Sequence, residues 1–221
     1  MEKATLIYNP CFADNRGVFA PLPLVFGEDK IEILRKDWVQ SNISYNPNKF
    51  TFRGMHLQEG PHAQAKLVKV VNGSIIDFVV DLRPKSPDYL KVQEFIVTSG
   101  SEVYVPRGFA HGFITTEDNT VVQYLVDNHY NRESERSILW SSFPEIRKLI
   151  KEQHVDPIIS DKDLNATPIH DYLLEPKLIF DTVEWQGRSI NNLYNSNFGV
   201  VLAGSLMLLT LLCLAILNFL K

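Results

Sequence analysis

Between about residue 5 and residue 140, apolar residues come in short runs rich in Val, Ile, Phe and Tyr, such as AKLVKVV, SIIDFVVDL, SEVYVP and TVVQYLVD. Gly, Pro, Asn or Ser closes each run, and the runs recur about every 8 to 12 residues, the spacing of an all-β sandwich or barrel. Helical patterning is nearly absent over this stretch. In VVNGSIIDFVVDL, Asn72-Gly73 separates two such runs, and both residues tolerate the positive φ of a type I′ turn, which predicts a β-hairpin there. FPEIRKLIKEQ then places Ile146, Leu149 and Ile150 at helical spacing with Pro144 near the start, so one short helix should follow the barrel.

Composition narrows what such a barrel could do. A chain of 221 residues that is 45% hydrophobic and 22% charged suits one well-buried domain with some chain to spare. The formal net charge of -4, with both signs mixed along the chain, gives no broad basic field for nucleic acid. Any anionic ligand must be held by a few local cations. Cys11 and Cys213 lie far apart, without metal-ligand spacing or a disulfide framework.

The two ends differ. MEKATLIYNPCFADNRG lacks the basic start and apolar core of a secretory signal and reads as the start of the folded domain. FGVVLAGSLMLLTLLCLAILNFL, Phe198 to Leu220, has no charged residue, and about 20 helical residues span a bilayer core. A transmembrane helix over 198–220 is therefore expected, as a single-pass tail anchor that leaves the rest of the chain cytosolic. The alternative is a buried carboxyl-terminal helix of an oligomer. The domain organisation expected is 1–168 for the barrel domain, 169–197 for an extension and tether, and 198–220 for the membrane helix.

VPRGFAHGF holds Pro-x-Gly-x-x-His, which resembles the second cupin motif, but His56 and His62 flank Glu59-Gly60-Pro61 and do not form the His-x-His of a metal-binding cupin. No metal site is expected. RGMHLQ, AQAKLVKVVNGSIIDFVVDLR, SP, VPRGFAHGF, QYLVDNHY, ERSILW and SDKD occur in order over about Asn9 to Pro168. That series resembles the dTDP-4-dehydrorhamnose 3,5-epimerases, metal-free cupins of nucleotide-sugar metabolism.

The resemblance implies a cupin-type double-stranded β-helix, or jelly-roll barrel. It also implies a homodimer without cofactor that epimerises C3 and C5 of a dTDP- or UDP-linked 4-keto-6-deoxyhexose on the way to rhamnose or a related deoxysugar. A 4-keto group makes the protons on its neighbouring carbons removable, and inversion then needs a base on one face and a proton donor on the other. By the family pattern His56 is the base and Asp163 orients it. Lys66 faces the enolate oxygen, and Tyr124 is the acid of the opposite face. The pattern pairs His111 with Asp77 near the sugar. It gives Arg16, Gln40, Asn42 and Arg53 to the nucleotide or its pyrophosphate, and Tyr130 to the sugar and diphosphate. His62 matches no essential family position and reads as a polar lining residue.

Three departures stand out. RGVFAP has Pro21 where the family has glutamate, QAK has Ala65 where glycine is usual, and NHY has His129 where many relatives carry an aromatic. If position 65 needs positive φ, Ala65 strains the loop that carries Lys66; otherwise the change is harmless. Two further functions share the scaffold: an enzyme that epimerises one carbon or moves the keto group, and a tethered sugar-nucleotide-binding cupin without turnover.

Overall fold

The computed structural model of the chain describes residues 1–8, 12–14, 17–19 and 37–175. Its strands are β1 (Thr5–Tyr8), β2 (Phe12–Asp14), β3 (Gly17–Phe19), β4 (Gln40–Asn46), β5 (Phe52–Gln58), β6 (Lys66–Asn72), β7 (Ser74–Asp81), β8 (Val92–Thr98), β9 (Ser101–Val105), β10 (Phe109–Thr115), β11 (Thr120–Val126) and β12 (Glu135–Ser137). Three helices follow: α1 (Pro144–Glu152), α2 (Asp161–Leu164) and α3 (Ile169–Leu174). The expectation of an all-β chain with a short helical extension is met.

Pairing is nested. β7 pairs with β8, β6 with β9, β5 with β10 and β4 with β11, all antiparallel, as if one long ribbon had been wound on itself. Winding splits the ribbon into two sheets, β1-β9-β6-β11-β4 and β12-β5-β10-β7-β8, with β2 and β3 paired apart. Between the sheets, Val68, Val70, Val103, Val105 and Val122 meet Ile75, Val79, Val97, Phe109 and Phe113. The alternation legible in the sequence is thus an inner face and an outer face. On the second sheet the outer face is also apolar: Phe52, Leu57, Phe78, Val80 and Ile138 pack against Ile146 and Ile150 of α1 and Tyr172 of α3. Burying each such side chain contributes about 1.5–3 kcal/mol, so the helices are part of the fold. Pro144 opens α1 as expected, with Glu145 in the first turn and Lys151 in the last, both favourable to the helix dipole.

Two expectations are corrected. Asn72-Gly73 does not make a hairpin, because β6 and β7 lie in different sheets. Gly73 alone takes positive φ, at 82°, where the chain turns a corner between sheets, and a Cβ there would collide with Thr120. Both geometries call for glycine, so the local signal did not distinguish them.

The second correction concerns the membrane. Among the described residues no helix is long and apolar enough to cross one, the longest being the 9 residues of α1, against about 20 needed. The expected span 198–220 lies outside the described residues and rested on hydropathy alone, so the tail-anchored localisation is withdrawn.

Candidate active site

Arg53 and His56 lie three positions apart on β5, so an unbroken strand would turn them to opposite faces. The register against β10 prevents this: His56 pairs with His111 and Arg53 with Phe113, three steps on β5 against two on β10. The extra residue is a β-bulge, which re-aims the side chains beyond it. His111 and Phe113 share the inner face, so His56 and Arg53 share it too. Glycine permits the close approach of the two strands: a Cβ on Gly112 would stand 2.7 Å from the Arg53 carbonyl oxygen, and one on Gly54 would stand 2.5 Å from Gly112 Cα.

The His56 ring meets a carboxylate. Asp163 Oδ1 lies 2.6 Å from His56 Nε2, while Asp163 Oδ2 accepts a hydrogen bond from the Gly54 N–H at 3.3 Å. Asp163 rides on α2, a single turn whose N-cap Ser160 accepts from the Asp163 N–H at 3.2 Å. Burial alone would raise the Asp163 pKa, but the hydrogen bonds from His56, Gly54 and Ser160 hold it below the ordinary carboxylate value. An ionised Asp163 accepts the Nε2 proton, which leaves Nδ1 as the basic nitrogen of a neutral His56.

The first sheet supplies the other wall. Tyr124 stands opposite Val68 on β6 and opposite Asn42 on β4, and Val126 stands between Lys66 and Gln40. By alternation, Lys66, Tyr124, Gln40 and Asn42 all share the inner face with Val68 and Val122. Lys66 Nζ donates to the His56 carbonyl oxygen at 3.3 Å, which brings the two sheets together at the site. Burial lowers the Lys66 pKa to about 8, opposed by the nearby carboxylates of Asp77 and Glu135. Burial raises the Tyr124 phenol above its ordinary value although Arg53 opposes the shift, so Tyr124 is a neutral donor near pH 7.

His111 and Asp77 pair at 2.7 Å, both buried. Burial pushes His111 below its ordinary pKa, with Asp77 opposing, so a neutral imidazole donates to the carboxylate. Arg53 Nε donates to Asn46 Oδ1 at 2.7 Å, and Gln40 Nε2 donates to Asn42 Oδ1 at the same distance. Tyr130 lies 54% exposed at the rim, its hydroxyl donating to Glu135. Arg16 and Pro21 lie outside the described residues. His62 pairs with Ser134 Oγ at 2.9 Å. Among the described residues no three His, Cys, Asp or Glu side chains converge to hold a metal.

The Ala65 question has an answer. Positive φ among described non-glycine residues occurs at Phe50, Leu90, Asn119 and His154, and not at Ala65. Its N–H donates to Asp127 Oδ1 at 2.7 Å, and Asp127 is also bound by Arg107 Nε at 2.9 Å, so the turn before Lys66 is tied down without strain. Sequence reasoning missed Asp127, Asn46 and Glu135. Glu135 lies within ERSILW, but a strand of three residues carries no periodicity that would have marked it.

The two sheets form a cupin-like fold, and their inner faces gather an imidazole–carboxylate pair, an ammonium and a phenol, groups suited to the acid–base work of an isomerase. Residues 1–171 match the family described as dTDP-4-dehydrorhamnose 3,5-epimerase, and the chain belongs to that family. A dTDP-4-dehydrorhamnose 3,5-epimerase of Shigella flexneri is 36% identical over 168 residues, covering 73% of this chain and 88% of that protein. The crystal structure of the Bacillus anthracis enzyme of that name, with TDP and PPi bound, aligns with a TM-score of 0.63 at 34% identity over 75% of this chain and 93% of its own. A 3'-monoepimerase from Streptomyces bikiniensis in complex with dTDP-quinovose aligns with a TM-score of 0.66 at 25% identity, over 77% and 86% of the two chains. The family match stops short of the apolar tail and lends nothing to a membrane location.

Proposed function

We propose that the chain inverts C3 and C5 of a dTDP-linked 4-keto-6-deoxyhexose, with His56 as base, Asp163 as its support, Lys66 facing the enolate oxygen and Tyr124 as acid. The observation that carries this is the 2.6 Å His56–Asp163 pair on one inner face, bridged by Lys66 to the inner face that bears Tyr124. Neutral His56 takes the proton beside the ketone. The C–H electron pair moves into a new C=C bond as the carbonyl π pair moves to oxygen, where the Lys66 ammonium stabilises the charge. Tyr124 then delivers a proton to the other face of the carbon, and the ketone re-forms. Solvent returns the Tyr124 proton and removes the one on His56, so each inversion exchanges one hydrogen with water.

Arg53, Gln40, Asn42 and Arg16 hold the nucleotide diphosphate, while His111, Asp77 and Tyr130 line the sugar. The TDP in the Bacillus anthracis structure supports a thymidine nucleotide over a uridine one. The catalytic unit is 1–168 continued by the extension from 169, and it works as a homodimer, which light scattering of the purified chain checks. A single-carbon epimerase is the second reading, favoured by the alignment with the 3'-monoepimerase. Turnover in deuterium oxide separates them: label at both C3 and C5 supports the proposal, label at one carbon supports the second reading, and exchange that survives His56→Ala overturns His56 as base.

A further inference from the structure

We infer that Glu135 is a positioning and charge-setting residue of the acid–base site, and that Lys162 sets how strongly its charge acts there. This rests on the roles proposed for His56 and Lys66 and goes beyond them.

Glu135 lies on β12 two residues from Ser137, which pairs with His56 across the strands, so its side chain comes out on the same face of the sheet as the imidazole. One oxygen accepts from Lys162 Nζ at 2.7 Å and the other from the Tyr130 hydroxyl at 3.0 Å. Glu135 therefore ties three pieces of chain to one point: β12, the segment that carries Tyr130, and α2, whose next residue after Lys162 is Asp163. Burial raises its pKa, but Lys162, Tyr130 and His56 together bring it below the ordinary value, so it is ionised at neutral pH.

The surroundings are mixed. His56 has Asp163 on α2, Glu135 on β12 and His111 on β10 about it, and Lys66 from β6 bound to its carbonyl. Lys66 has Asp77 and Glu135 as its carboxylate neighbours, and Tyr124 has Arg53 and Glu135. Among the described residues Glu135 is thus a carboxylate near base, enolate cation and acid alike, and its charge favours the protonated form of a cation beside it. Lys162, 54% exposed against 23% for Glu135, offsets that field from the solvent side.

Two variants give opposite signs. Glu135→Gln keeps a polar group of the same shape and removes the charge, so the protonated forms of His56 and Lys66 are both disfavoured, and both limbs of the kcat/KM profile move to lower pH. Lys162→Met leaves the carboxylate unopposed, and both limbs move to higher pH. Since the pair is partly solvated, the rate on each limb changes by about two- to fivefold. Lys162→Arg restores the parent profile.

The His56 ring titration, followed by NMR without substrate, must move in the same two directions. That signal reports the field of Glu135 whether or not His56 is the base, so it separates failure here from failure of the proposed function. Should Glu135→Gln not fold, Lys162→Met against Lys162→Arg carries the test. A His56 titration that stays put, or that moves the same way in both variants, overturns the inference; a purely structural role predicts slower turnover with an unmoved profile.

Discussion

Asp163→Asn keeps the size and shape of the carboxylate and changes which atom can accept a proton. In the parent, one oxygen takes the His56 Nε2–H at 2.6 Å and the other takes the Gly54 N–H at 3.3 Å. The amide has one oxygen. If it stays with Gly54, the NH2 group faces His56 and donates to Nε2, which forces the proton onto Nδ1 and removes the basic lone pair. If the amide flips, its NH2 opposes the Gly54 N–H, and a buried donor without an acceptor costs about 1–3 kcal/mol. The reactive tautomer must be reached by that route, and even then the imidazolium lacks the carboxylate, which costs about 1–1.5 kcal/mol more. The sum, about 2–4.5 kcal/mol, lowers kcat by about 30- to 2000-fold. KM should change little, because Asp163 acts behind the imidazole. Deuterium wash-in at C3 and C5, followed by NMR with saturating substrate, measures the loss. An asparagine variant within threefold of the parent, or one whose loss lies in KM, refutes the tautomer argument.

Tyr124→Phe should uncouple exchange from inversion: His56 still removes and returns a proton on its own face, so label enters while product falls by about 10²- to 10⁴-fold, read by comparing wash-in with product formation. Activity should fall as pH rises through the Lys66 pKa of about 8, and Lys66→Met should lower kcat by about 10²- to 10³-fold and erase that limb in a pH–rate series. Stability carries the opposite sign. Because the folded-state pKa of Lys66 lies below its ordinary 10.5, the unfolded chain holds more protons between the two values, and this group's contribution to stability rises with pH there, read in denaturant midpoints. Gly112→Ala should destabilise by about 1–3 kcal/mol, seen as a lowered denaturation midpoint, since its Cβ would lie 2.7 Å from the Arg53 carbonyl oxygen and 2.8 Å from Met55 Sδ.

Strands were legible because alternation is a local property, and a two-residue period survives whatever partner a strand later finds. Their partners were not legible, because the nested winding is a long-range arrangement. Gly73 shows the difference: its positive φ is written in the sequence, yet the same glycine serves a hairpin or a corner between sheets, and the competition between them is settled by the packing of β6 and β7 into different sheets. His56 and Asp163 are 107 positions apart, and only the family resemblance joined them before the structure placed them 2.6 Å from each other.

One wall of the site lies where alternation fails. Parity along β5 sends Arg53 and His56 to opposite faces, and the bulge against β10 returns them to one face. A local rule that places Lys66, Tyr124, Gln40 and Asn42 on one inner face therefore misplaces Arg53 relative to His56, because only the pairing of β5 with β10 shows the extra residue. The departure depends on close backbone approach, so Gly54 and Gly112 are as necessary to placing Arg53 and His56 on one face as Asp163 is to the His56 tautomer.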